Sequence, residues 1–155
     1  MIDIQPLDVS KYDLIDQQAT KAEWVWQRVP IVGMMISTVL WERRNRPLFD
    51  EYQKVLESRP LIPSEVWGDA QRQEIGLVIG QAAQAEIGWP NNHFIPNDPI
   101  RVSLWSFHDA LDATEAIAKI GEQYGVQIKW DDLIPIWNSN LTDLVDLILS
   151  LPKES

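Results

Sequence analysis

With 155 residues, 45% of them hydrophobic and 23% charged, the chain has the size and composition of one globular domain, or of a small domain with an extension. Its 13 basic and 23 acidic side chains leave a net charge of −10, which repels phosphate backbones and sets nucleic acid aside as a partner. The lack of cysteine removes disulfides, thiolate metal sites and thiol nucleophiles.

The charge is uneven. Residues 65–155 hold 5 basic and 14 acidic side chains, whereas residues 1–64 hold 8 and 9. An acidic second half suits a basic patch on another protein, and it also serves solubility. The eight tryptophans (Trp24, Trp26, Trp41, Trp67, Trp89, Trp105, Trp130 and Trp137) run along the whole chain. Large aromatics of this kind serve core packing first.

The N-terminal Met1-Ile2-Asp3-Ile4 lacks the basic-then-apolar order of a signal peptide, so a cytoplasmic protein is expected. Residues 1–20 are polar and read as loosely attached. Residues 21–29 read as a short helix carrying Trp24 and Trp26, ended at Val29-Pro30 because a residue before proline is pushed away from helical angles. The longest uncharged run lies between Arg28 and Glu42, is 13 residues long and contains Pro30 and Gly33. It is too short to span a bilayer. Over 31–44 it reads as buried helix or strand, which periodicity does not decide. With Arg43-Arg44-Asn45-Arg46 behind it, the segment 24–46 also suits a membrane-surface anchor. Pro47 is expected in the first turn of a helix over 47–58, with Leu48, Tyr52, Val55 and Leu56 at helical spacing. Arg59-Pro60-Leu61-Ile62-Pro63 reads as a linker. It separates an N-terminal helical extension, 1–62, from a module over 63–155 on which the extension is expected to pack.

In that module Ser64 is the expected N-cap of a helix over 64–87, whose apolar side carries Val66, Ile75, Val78, Ile79 and Ala82 and whose stop is Gly88. Residues 88–108 read as a loop long enough to need a reason. The next helix spans 109–124, with Ala113, Ala116, Ile117, Ile120 and Tyr124 on one face and Gly125 at its end. Asp131-Asp132 opens a short helix to Trp137. Asn140 caps the last helix, 141–150, where Leu141, Leu144, Val145 and Ile148 fall at i, i+3, i+4 and i+7.

Four pieces of this module, in order, resemble the acyl carrier proteins. Gly88-Trp89-Pro90 through Phe94-Ile95-Pro96-Asn97-Asp98 resembles the family's first loop. Asp109-Ala110-Leu111-Asp112 resembles its Asp-Ser-Leu-Asp attachment motif. Glu122-Gln123-Tyr124-Gly125-Val126-Gln127-Ile128 and Leu141-Thr142-Asp143-Leu144-Val145-Asp146-Leu147-Ile148 resemble its later elements. The resemblance covers about residues 70–150 and implies a mainly α fold, an acyl-carrier-like four-helix bundle with an N-terminal helical extension. It departs where it matters chemically. Ala110 stands where the family's phosphopantetheine-bearing serine stands, and a methyl group cannot carry the arm. Ser103 and Ser106 are near but not in register. In the family, acids along this helix meet basic patches of partner proteins, which points to Asp112, Glu115 and Glu122 as partner-binding residues here.

The other residues carry no reaction. Asp109 serves as a helix cap near the positive end of the dipole. His93 and His108 have no zinc-ligand spacing and no evident triad partner, and no G-x-S-x-G or phosphate-binding glycine loop is present. Asp131-Asp132 lacks the spacing of a calcium loop. The expectation is therefore a non-enzymatic, carrier-like protein-binding module with no cofactor and no metal. Two alternatives are a degenerate carrier that holds an acyl chain or other small apolar ligand noncovalently, and a membrane-associated protein anchored through 24–46.

Overall fold

The computed structural model describes residues 4–14, 32–105 and 110–153. The expected helix at 21–29 and its two tryptophans lie outside them. Among the described residues the chain is mainly helical and has no strand. The only pairing resembling a sheet there is an isolated antiparallel bridge between Pro99 and Asn140.

Residues 9–14 are helical and form α1. Residues 4–14 are not loosely attached. Leu7 is buried, its N–H donates to Asp98 Oδ1 at 2.9 Å, and Tyr12 meets the Trp105 ring edge-on at 5.2 Å. Tyr52 donates its phenol hydrogen to the Asp8 carbonyl, and Lys11 pairs with Glu51. Burial pushes the Tyr52 phenol pKa well up.

Helix α2 spans Val32–Ser58 without interruption, so Pro47 lies inside it and does not start it. An interior proline costs about 3 kcal/mol through its missing N–H and its clash with the preceding turn. Burial of Leu48, Phe49, Tyr52 and Leu56 offsets that cost, since each large side chain contributes roughly 1.5–3 kcal/mol. Asn45, buried just before the proline, donates its side-chain amide to the Trp41 carbonyl at 2.7 Å. Val55, expected on the inner side, is exposed.

The helix expected over 64–87 is three pieces. Ser64–Trp67 is a 3-10 turn, α3 spans Ala70–Ala82, and Ala83–Ile87 continues it with the wider π spacing. Gly68 breaks the run with φ of +102°, a conformation closed to most side chains. Ser64 is therefore not the cap. Asp69 is, accepting from the Arg72 N–H at 3.0 Å. Val66 falls before the break and is exposed, whereas Ile75, Ile79 and Ala82 enter the core. The expected stop at Gly88 is observed, with φ of +87°.

The segment after Gly88 contains one short helix, α4, Ile100–Ser103. Its length has a reason: Trp89, Phe94, Ile95, Ile100, Val102, Leu104 and Trp105 are all buried. It also supplies acceptors to the start of the last helix, α7, Leu141–Ser150. The Leu141 N–H donates to the Asp98 carbonyl at 2.9 Å, and the Thr142 N–H and hydroxyl both donate to the Pro96 carbonyl. Asn140 caps α7 as expected, accepting from the Thr142 N–H at 3.1 Å. Those bonds satisfy donors that a helix N-terminus leaves open. Leu141, Leu144, Val145 and Ile148 are all buried.

Helix α5, Ala110–Tyr124, packs against α3 and its π extension, and α7 packs against α3. Gly125 ends α5 with φ of +62°. Helix α6 spans Trp130–Leu133 and runs into a 3-10 turn, Ile134–Ile136. It begins one residue before the expected Asp131, and Asp132 holds its start by accepting from the Lys129 N–H at 3.0 Å.

Within α5, Gly121 marks a close approach. A Cβ there would lie 2.6 Å from the Val126 carbonyl oxygen, and the Gly121 carbonyl accepts from the Val126 N–H at 3.0 Å. Helix propensity alone favours alanine by about 1 kcal/mol. We expect Gly121→Ala to destabilise instead, by about 1–3 kcal/mol, because backbone must move to admit the methyl. A urea midpoint at or above that of the parent protein would contradict this.

Candidate functional site

Helix α5 is amphipathic for a simple reason. Ala113, Ala116, Ile117 and Ile120 recur at helical spacing and are buried, which fixes the rotation of the helix about its axis. The flank turned away carries Asp112, Glu115, Lys119 and Glu122 at i, i+3, i+7 and i+10, so the three acids proposed from the sequence share one stripe. Glu115 and Glu122 are exposed and Asp112 is half-buried. Ala110 is the first residue of α5. Its side chain lies outside the described residues, as do Ser106, His108 and Asp109. Leu111, next to Ala110, is exposed.

Spacing along the helix sets a lysine in the stripe but does not reveal that lysine's partner. Lys119 stands between Glu115 and Glu122 and pairs with Glu86 of the π extension. Glu86 holds the Lys119 ammonium above its ordinary range, with Glu115 and Glu122 adding to the effect. In return Lys119 holds the Glu86 carboxyl below its usual range. The stripe is thus an acidic surface with one lysine clamped inside it. Glu86 belongs to another element, so no periodicity within 109–124 points to it. At the end of the helix, burial raises the Tyr124 phenol to about 12, with Glu74 contributing. Its hydroxyl has no partner among the described residues.

A second cluster is buried and internal. Asp98 is fully buried and Arg59 nearly so. The guanidinium and carboxylate meet in a two-pronged pair, Nη1 to Oδ2 at 2.6 Å and Nη2 to Oδ1 at 2.8 Å. Arg59 also donates to the carbonyls of His93 and Gln5. Asp98 also accepts from the N–H groups of Leu7 and Ile95. The pair therefore joins the N-terminal strap, residues 4–14, to the end of α2 and to the long connection, residues 88–105. From the sequence, Arg59 belongs to an extended linker and Asp98 to a loop motif, and nothing links one to the other.

Two other residues weighed from the sequence lie among the described residues. Nδ1 of His93 lies 3.1 Å from the Arg59 carbonyl. Ser103 is buried, its carbonyl accepting the Trp89 indole N–H at 2.8 Å. Among the described residues, no group of three or more acidic or histidine side chains is placed to hold a metal ion. No helix of the described residues is long and apolar enough to cross a membrane.

Comparison with known proteins leaves the site to be read from its own geometry: no family model matches the chain, and no curated protein or solved structure matches it.

Proposed function

We propose that the chain is a non-enzymatic, carrier-like protein-binding module that docks a basic protein surface through the outward stripe of α5, with no phosphopantetheine. The observation that carries this reading is the division of α5. One face is fully occupied by the core, and the opposite flank sets Asp112, Glu115 and Glu122 in line with no role in that packing. The order of α3, long connection, α5, short α6 and α7 supports the carrier-like part. Ala110 at the head of α5 offers no hydroxyl for an arm. The Glu86–Lys119 pair steadies the stripe between two elements.

Charge at the rim of an interface governs association rate and salt dependence more than fold stability. Converting Asp112, Glu115 and Glu122 to lysine is expected to weaken capture of a partner by about tenfold or more. Circular dichroism and melting should stay near those of the parent protein. A partner retained equally by the triple variant, or equally in high salt, assigns the stripe to a solvated helix face.

A further inference from the structure

Arg59-Pro60-Leu61-Ile62-Pro63 reads from the sequence as a linker, and apart from Arg59 neither the core nor the α5 stripe gives it a task. In the structure it is an exposed strip held at both ends. At one end Arg59 is buried in its pair with Asp98. At the other, Ser64–Trp67 forms the 3-10 turn, and Trp67 lies against Gly76 and packs on the core. Between them Pro60, Leu61 and Pro63 are exposed. Leu61 is 78% exposed, more than any other large apolar side chain among the described residues.

Covalent chemistry fixes the shape of this strip. Each proline ring holds its own φ near −65°. Arg59 and Ile62 each precede a proline, which pushes them to extended angles. Pro63 has φ of −60° and ψ of 133°, close to the polyproline II values of about −75° and +145°. Pro60, Leu61 and Ile62 make no hydrogen bond among the described residues, as a solvated polyproline II backbone requires. With three residues per turn, Pro60 and Pro63 share one edge, Leu61 stands on the second and Ile62 on the third. Ile62 is the half-buried one. The strip therefore rests on its third edge and turns the other two to solvent.

We propose that residues 60–63 are a docking ligand for a protein domain whose aromatic-lined groove reads polyproline II segments. Such grooves take Pro-x-x-Pro ligands by shape. Here one ridge is Pro60 with Pro63, which lie about 9 Å apart along the axis, and Leu61 is the other. The conformation is set before binding, so little ordering is needed at the encounter. Strand addition is the other way an extended segment binds, and the two prolines withhold N–H donors that a ladder uses. Charge narrows the partner. Arg59 is the only cation between residues 55 and 71 and is committed to Asp98, while Glu57 and Glu65 are exposed on either side. The rim of the groove is therefore basic or neutral. None of these residues lies on α5, so the inference stands apart from the acidic stripe.

The test is titration of the isotope-labelled full chain, followed by amide chemical shifts, with a panel of purified SH3 and WW domains whose groove rims are basic or neutral, up to about 1 mM domain. At least one domain is expected to shift the amides of Leu61, Ile62, Ser64 and Glu65 before any others. Pro60→Ala with Pro63→Ala should weaken its binding by about tenfold or more, and so should Leu61→Asp, which keeps both prolines. Leu77→Ser, at an exposed position on α3, should leave binding unchanged. All three variants should keep the parent circular dichroism, and Leu61→Asp removes nothing from the core. No binding by any member of the panel overturns the proposal. So does binding that moves other amides first, or that survives Leu61→Asp or the double proline change. Tighter binding by the double proline variant would also overturn it, because recovered N–H donors help a β-strand and not a polyproline II ligand.

Discussion

Replacing Arg59 with methionine should lower stability by about 3–5 kcal/mol, the range for breaking one side of a buried ion pair. The reason is the isolation of what remains. Asp98 is fully buried, and without the guanidinium its carboxylate keeps only the N–H groups of Leu7 and Ile95. The carbonyls of Gln5 and His93 lose their donor at the same time. In a chain of this length such a loss corresponds to a fall in melting temperature of roughly 6–20 °C. Replacing both partners with apolar residues, Arg59→Met with Asp98→Leu, should be milder than the single change, since no uncompensated charge stays behind. Thermal and urea denaturation of the two variants decide it. A single variant within about 1 kcal/mol of the parent would show that water reaches the pair when it is broken. Hydrogen exchange should locate the damage as well: amide protection at Leu7 should fall first, because its acceptor is the orphaned carboxylate.

Trp89→Ala should cost a similar amount, about 3–5 kcal/mol. Trp89 is 2% exposed, stacks on Phe49 at 4.6 Å between ring centroids and meets Phe94 edge-on at 6.5 Å. It thus joins α2 to the segment after Gly88, and truncation opens a cavity between elements distant in the chain. Trp89→Phe separates the two parts of its role. The ring contact persists in part, while the Ser103 carbonyl loses the indole donor at a cost of about 1–3 kcal/mol. Urea midpoints should rank parent, phenylalanine variant and alanine variant in descending order. If the two variants are equal, the indole hydrogen bond accounts for the whole effect.

The division between what was legible and what was not comes from the range of the interactions. The core faces of α5 and α7 were legible because each is specified within one helix, by apolar residues every three or four positions. The Asn140 cap and the glycine stops at Gly88 and Gly125 were legible for the same reason, as local backbone chemistry. In the candidate site, the resemblance picked out Asp112, Glu115 and Glu122, and helical spacing sets them in one line. Glu86 did not, because it reaches Lys119 from another element across space.

Local signals misled where tertiary burial outweighed them. Pro47 reads as a helix start, yet the packed residues after it carry α2 through the proline. Residues 88–105 read as loop because buried positions such as Trp89, Phe94, Ile100 and Leu104 have no single period. Their regularity lies in contacts with other elements, not in spacing. The polar strap at residues 4–14 reads as a tail for a similar reason: Leu7 and Tyr12 find their partners on α2 and the long connection.

By itself, the sequence determined the helical class, the rotation of α5 and α7 about their axes, and the acidic line on α5, since period, caps and stops act within a few residues. Only the tertiary structure decided that Arg59 and Asp98 meet, that the long connection is core, and that the N-terminal strap is fastened to both. Those outcomes depend on burying groups separated by tens of residues, where an apolar side chain gains by leaving water and a charge can enter only if its opposite is already there.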